Sequence, residues 1–193
     1  MSDPFADIRP YRDEEVPAVL DRLLADRELL DAIASLSLGR VARALPGLVR
    51  PVVRWYLGRQ LRGVQDVHGM QMVIKHYVEK VIDDTTAGFS VSGLDELDVS
   101  RPWLFMSNHR DIVMDPAFTN YALHRSGHQT VRIAIGDNLL TKPWVSDLMR
   151  LNKSFIVKRS VASGRALLAA SRHLSNYIRL SLQAERAPIW IAQ

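Results

Sequence analysis

Downstream of Thr85 the sequence alternates apolar runs of strand length with longer stretches of helical period, and few folds accommodate that alternation. Phe89–Val91, Trp103–Ser107, Val131–Ile135, Ser154–Val157 and Ile189–Ala192 have the length and residue types of buried strands. Between them, Ala117–Ser126, Thr141–Leu151 and a long stretch from Val161 to Gln183 read as helices. Short strands separated by helices predict an α/β layer with a mostly parallel or mixed sheet. A chain of 193 residues has room for one sizeable core. In sheets of this kind the chemistry gathers in loops beyond the strand ends.

Upstream of that point the pattern is helical, which divides the chain into a helical N-terminal region, residues 1–85, and an α/β core, residues 86–193. Asp13, with Glu14 and Glu15 behind it, is placed to cap a helix that continues through Val16, Val19-Leu20 and Leu23-Leu24, and Asp26 to start another. Pro46 and Pro51 should interrupt the stretch that follows. From Val64 to Asp83, Val67, Met70, Ile74, Val78 and Val81 form one apolar stripe at helical spacing. Cysteine is absent, which excludes disulfides and thiolate metal sites. No apolar run reaches 18 residues and the first twelve are polar, so the expected location is cytoplasmic, soluble or peripheral on the cytoplasmic face of a membrane.

The formal net charge of +4 conceals an asymmetry. Between Ala32 and Gln65 there is no acid, but there are arginines at 40, 43, 50, 54, 59 and 62, interleaved with Leu36, Leu38, Val41, Leu45, Leu48, Val49, Val52, Val53, Trp55, Tyr56 and Leu57. Unopposed arginine, apolar bulk and interfacial aromatics suit an anionic membrane surface. A helical hairpin whose arginines are solvated or paired with the acidic first thirty residues fits the same pattern. No nucleic-acid-binding motif is present, and nucleic acid is not an expected partner.

Trp103-Leu104-Phe105-Met106 runs directly into Ser107-Asn108-His109-Arg110-Asp111, and five polar residues at the end of an apolar strand build no core. Asp115-Pro116 supplies a helix start, with Asp115 as cap, and Gly127 a left-handed end. His109 thus sits on a strand-to-helix loop beside two carboxylates. An imidazole, whose ordinary pKa is about 6.5, suits a general base near neutral pH. A carboxylate on its far nitrogen fixes the tautomer and stabilises the imidazolium. His109-Arg110-Asp111 also matches the protein-kinase catalytic triplet, but Pro116 stands where that loop requires Asn and no Gly-rich loop precedes it. His109, Asp111, His124 and His128 have no recognised metal-ligand spacing, and no metal is expected.

The segment Ser107–Pro116 resembles the first motif of the glycerol-3-phosphate and lysophosphatidic acid acyltransferase superfamily, Asn-His, four residues, then Asp, often Asp-Pro. The resemblance implies that His109 deprotonates a glycerol hydroxyl, which attacks the thioester of an acyl-CoA or acyl carrier protein, with an aspartate orienting the base and no other cofactor. Here five residues separate His109 from Asp115, and Met114 holds the family's position. Either a one-residue bulge brings Asp115 to the imidazole, or Asp111 takes its place. Gly136-Asp137-Asn138, Pro143-Trp144 and Asn152 to Arg159 resemble the family's second block, which implies phosphate contacts from Arg159 and Lys158, with Asn108 beside the base. The family's third element, a Glu-Gly pair after an apolar strand, is not found after Pro188–Gln193, which reads as a truncated core. The other function class open to such a chain is a non-catalytic membrane-surface or lipid-binding module that retains a partial acyltransferase site.

Overall fold

A computed structural model describes residues 3–39, 45–161 and 163–192, so Arg40, Val41, Arg43 and Gln193 lie outside the described residues. The elements in chain order are α1 (Val16–Ala25), α2 (Arg27–Leu38), α3 (Pro46–Gln60), α4 (Val67–Thr85), β1 (Leu104–Ser107), α5 (Met114–Arg125), β2 (Arg132–Gly136), α6 (Pro143–Leu151), β3 (Ser154–Val157), α7 (Gly164–Arg179) and β4 (Ile189–Ala192). They fall into two compact units, residues 11–73 with 142–152, and residues 3–10, 74–141 and 153–192. No helix among the described residues is long and apolar enough to cross a membrane.

The first unit is helical. Leu30 and Ala34 of α2 meet Val49 and Val53 of α3, with Ile33 and Leu57 at the margins. Asp26 caps α2 as expected, its carboxylate accepting from the Leu29 N–H at 2.9 Å. Asp13 does something else. Its carboxylate accepts from the Val67 N–H at 2.9 Å and so serves the start of α4, while a single 3-10 turn, Asp13–Glu15, leads into α1. Pro51 does not interrupt the chain as anticipated: α3 starts at Pro46 and runs through Pro51. The ring costs one backbone hydrogen bond, and burial of Val49 and Val53 on either side of it holds the helix together.

The second unit is a four-stranded sheet in the order β1-β4-β2-β3 with every pair parallel. Strand alternation sends its two faces into separate cores. Phe105, Ile133 and Trp190 join Leu123 of α5 and Val131 on one side. Phe155 and Ile189 join Tyr177 of α7 and Ile8 on the other. β3 and β4 coincide with the strands read from sequence. Phe89–Val91 forms no strand. That segment lies between Gly88 and Gly93, both at positive φ, and the Phe89 ring packs against Phe118 and Tyr121 of α5, 5.4 and 5.5 Å between centroids. The long helix is also shorter than expected. It begins at Gly164 behind a Ser163 cap and passes at Leu180 into a π-helical turn that ends at Ala184.

Candidate active site

Because the sheet is wholly parallel, the segments after β1, β2 and β3 emerge along one edge, and the polar stretch singled out in the sequence is the first of them. α5 begins at Met114, three residues earlier than expected, and Asp115 is not its cap but lies within its first turn. The capping is done by Asp111, whose Oδ1 accepts from the N–H groups of Val113 and Met114, each at 2.8 Å. Asp115 is thereby turned back over the loop. Its Oδ2 accepts from the Arg110 N–H at 2.6 Å and the Asp111 N–H at 3.0 Å, and lies 3.1 Å from His109 Nδ1.

The two carboxylates thus have different surroundings. Asp115 is held below the ordinary carboxylate range first by the Asp111 and Arg110 N–H groups, then by His109. Asp111 is held down by the Met114 and Val113 N–H groups, with the charge of Asp115 acting the other way. The side chains of His109 and Asp115 keep 28% and 26% of their exposure, so the pair is reachable from solvent. With Nδ1 facing a carboxylate, the proton of a neutral imidazole resides there and Nε2 carries the lone pair. Among the described residues Nε2 has no hydrogen-bond partner. Asn108 is exposed beside it, and its backbone carbonyl accepts from the Ser107 hydroxyl at 3.1 Å.

Trp190, which the sequence reading treats only as strand filling, stands behind the base. Its ring centroid is 5.7 Å from that of His109, with the planes at 69°. Its Nε1–H donates to Ser107 Oγ at 3.1 Å. The alternation of Ile189-Trp190-Ile191-Ala192 places Trp190 on the face opposite Ile189; its pairing with Phe105 of β1 requires a strand neighbour that sequence order does not reveal.

Arg159 follows β3, at the far side of the sheet from β1. Two strands lie between, a separation of about 14 Å at the usual strand spacing. Its side chain leans inward. A Cβ added at Gly136, the last residue of β2, would stand 3.3 Å from Arg159 Cδ and 3.4 Å from Nε, so the arginine crosses the end of β2 where only glycine leaves room. Asp137 fixes the backbone there, its carboxylate accepting from the N–H groups of Arg159 at 3.0 Å and Ser160 at 3.3 Å, which hold its pKa down. Lys158, expected to act with Arg159, instead pairs with Asp7, which also contacts His173. His128 donates to the Leu94 carbonyl at 2.9 Å.

A base with an outward lone pair and an arginine on the same sheet edge can together activate a hydroxyl and hold an anionic group. An acyltransferase family model matches residues 88–192, more than half of the chain and all of the sheet. No curated protein and no solved structure matches the chain.

Proposed function

The chain belongs to the acyltransferase family, and from that premise we propose that it moves a fatty acyl group from a thioester, acyl-CoA or acyl carrier protein, to a hydroxyl of glycerol phosphate or lysophosphatidate. The observation that carries this reading is the contact between His109 Nδ1 and Asp115 at the edge of the parallel sheet. In the reaction, His109 Nε2 takes the proton of the acceptor hydroxyl as its oxygen bonds to the thioester carbonyl carbon. The tetrahedral intermediate then expels the thiolate as the C–S bond breaks. The imidazolium returns its proton to sulfur, leaving an ester and a free thiol. Asp115 stabilises the imidazolium between the two transfers and keeps Nε2 outward. Arg159 holds the acceptor's phosphate through a bidentate pair, and Asn108 offers an amide donor beside the base. Lys158 adds positive charge on that side once it exchanges Asp7 for substrate phosphate.

A lysophosphatidate acceptor and the acylated product of either acceptor partition into membranes, and the helical unit has a face suited to one. α3 buries Val49 and Val53 but leaves Leu48 69%, Val52 60% and Trp55 66% exposed along one stripe. Arg54, Arg59 and Arg62 are exposed around it, whereas Arg50 is occupied by Asp31 at 2.6 and 2.7 Å. We assign this stripe to peripheral docking on an anionic bilayer, with the arginines on headgroups and Trp55 at the interface. A lipid-surface module without turnover would use the same stripe. Appearance of free thiol from acyl-CoA or acyl carrier protein, each tried in the presence of glycerol 3-phosphate or its 1-acyl ester, separates the two. Turnover that is abolished in His109→Ala supports acyl transfer. Docking without turnover, or full turnover by the variant, overturns it.

A further inference from the structure

We propose that Trp190 is a positioning residue for the base at His109, an inference that rests on the acyl-transfer reading. Asp115 alone gives the imidazole one anchor at Nδ1. A single hydrogen bond fixes one point of the ring and leaves it free to tilt and swivel about that point. Nε2, on the far side, would then sweep through an arc. Trp190 supplies the second anchor. It is only 2% exposed, clamped in the core with Leu123, Val131 and Ile133, and so cannot follow the imidazole if it moves. Its ring meets the imidazole edge-on, 5.7 Å between centroids at 69°.

The indole also holds the backbone that carries the base. Its Nε1–H donates to Ser107 Oγ, and the Ser107 hydroxyl donates in turn to the Asn108 carbonyl, whose peptide bond leads into His109. Register makes both contacts possible: Trp190 pairs with Phe105, two residues before Ser107, so an indole at this height reaches past the end of β1. A phenyl ring here would keep the ring contact and lose the link to Ser107. An aliphatic residue would lose both. Trp190 never meets substrate. It acts through the direction of Nε2, where a misplacement of about 1 Å costs on the order of 100-fold in rate.

The test compares Trp190→Leu, Trp190→Phe and Ser107→Ala in the full chain. Steady-state thiol release is measured alongside the ring-nitrogen NMR shifts of His109, assigned by their loss in His109→Gln. Trp190→Leu is expected to lower kcat by ~10- to 100-fold with KM within about threefold, and to mix the two tautomers in the nitrogen spectrum. Trp190→Phe restores most of kcat and the single tautomer. Ser107→Ala, which keeps the ring contact, falls close to Trp190→Phe. If Trp190→Leu does not fold, Trp190→Met, which also lacks the ring and the N–H but keeps more bulk, takes its place with the same expected loss and the same mixing of tautomers. Unchanged kcat and unchanged His109 nitrogens in a folded variant that lacks the ring overturn the proposal, as does a loss shared equally by kcat and KM. Absence of turnover in the unaltered protein would sink the acyl-transfer reading instead, while the nitrogen spectra still report whether Trp190 holds the ring.

Discussion

Replacing Asp115 by Asn leaves the loop's shape and removes the charge that faces the base. The carboxylate oxygen Oδ2 serves three donors at once, two backbone N–H groups and the imidazole. An asparagine carbonyl in the place of Oδ2 still accepts from the backbone groups and from the imidazole, so the loop and the tautomer keep their course. An amide turned the other way would set its NH2 against two backbone N–H donors. What is lost is the negative charge that stabilises the imidazolium once the proton has moved, and a charge-assisted hydrogen bond is roughly twice as strong as a neutral one. The expected loss in kcat for Asp115→Asn is ~10- to 100-fold, about 1.4–2.7 kcal/mol in the barrier at 1.36 kcal/mol per decade. Asp111→Asn provides the contrast. Its oxygen caps the Val113 and Met114 N–H groups, and asparagine caps a helix about as well as aspartate. Its kcat should stay within about threefold of the parent. Initial rates of thiol release at saturating acceptor and neutral pH measure both. Equal losses in the two variants, or an Asp115→Asn protein that keeps its rate, would refute the assignment of Asp115 as the partner of His109.

Gly136→Ala places a methyl 2.4 Å from Asn138 Oδ1 and 3.3 Å from Arg159 Cδ. The asparagine can rotate away, so Arg159 bears the lasting displacement, and KM for the phosphate-bearing acceptor should rise ~3- to 30-fold with kcat little changed, as expected where part of a charge-assisted contact is lost. Equal KM values would show that the arginine's course over the end of β2 does not govern its hold on the phosphate. Asp111 and Asp115 both have lowered folded-state pKa values. Their contribution to the loop is therefore complete above the ordinary carboxylate pKa of about 3.9 and is lost as pH falls through their folded values. Hydrogen exchange at the Arg110, Asp111, Val113 and Met114 amides, corrected for intrinsic rate, should stay level from neutrality to about pH 4 and lose protection below it; loss beginning near pH 6 would contradict this. Neutralising Arg54, Arg59 and Arg62 together should weaken binding to phosphatidylglycerol-containing vesicles by ~100-fold, at about 1 kcal/mol per arginine. Equal binding of the parent to purely phosphatidylcholine vesicles would remove the electrostatic part of the docking reading.

The strands were legible where the physics that makes them is local. Ser154–Val157 and Ile189–Ala192 are runs of apolar residues with turns on both sides, and a buried parallel strand asks for little more. Phe89–Val91 has a similar texture but no partner. What its apolar residues do depends on α5, whose Phe118 and Tyr121 receive the Phe89 ring. Pro51 and Asp13 depart from their local reading for the same kind of reason. A proline inside a helix is costed locally, yet α3 is held by side chains that meet α2. An aspartate before a helix reads as that helix's cap, yet Asp13 satisfies an N–H fifty-four residues away. Long-range partners decided each case, and a sequence shows the partners without showing the meeting.

The loop at His109 shows the limit more sharply. The resemblance places the family's aspartate at the position of Met114, and from spacing alone Asp111 and Asp115 were rivals for one role. In the structure they occupy different roles in one device. Asp111 takes the first free N–H groups of α5, which starts the helix at Met114 and accommodates the additional residue of the loop. With the helix started there, Asp115 falls in the first turn with its carboxylate directed back at Arg110, Asp111 and His109. The six-residue interval is held from both ends, by the Asp111 oxygen on the Val113 and Met114 N–H groups and by Asp115, whose carboxylate meets the Arg110 and Asp111 N–H groups and whose own N–H donates to the Asp111 carbonyl at 3.3 Å. Neither carboxylate is redundant, and the tolerance for asparagine expected at 111 should not extend to a residue that cannot cap.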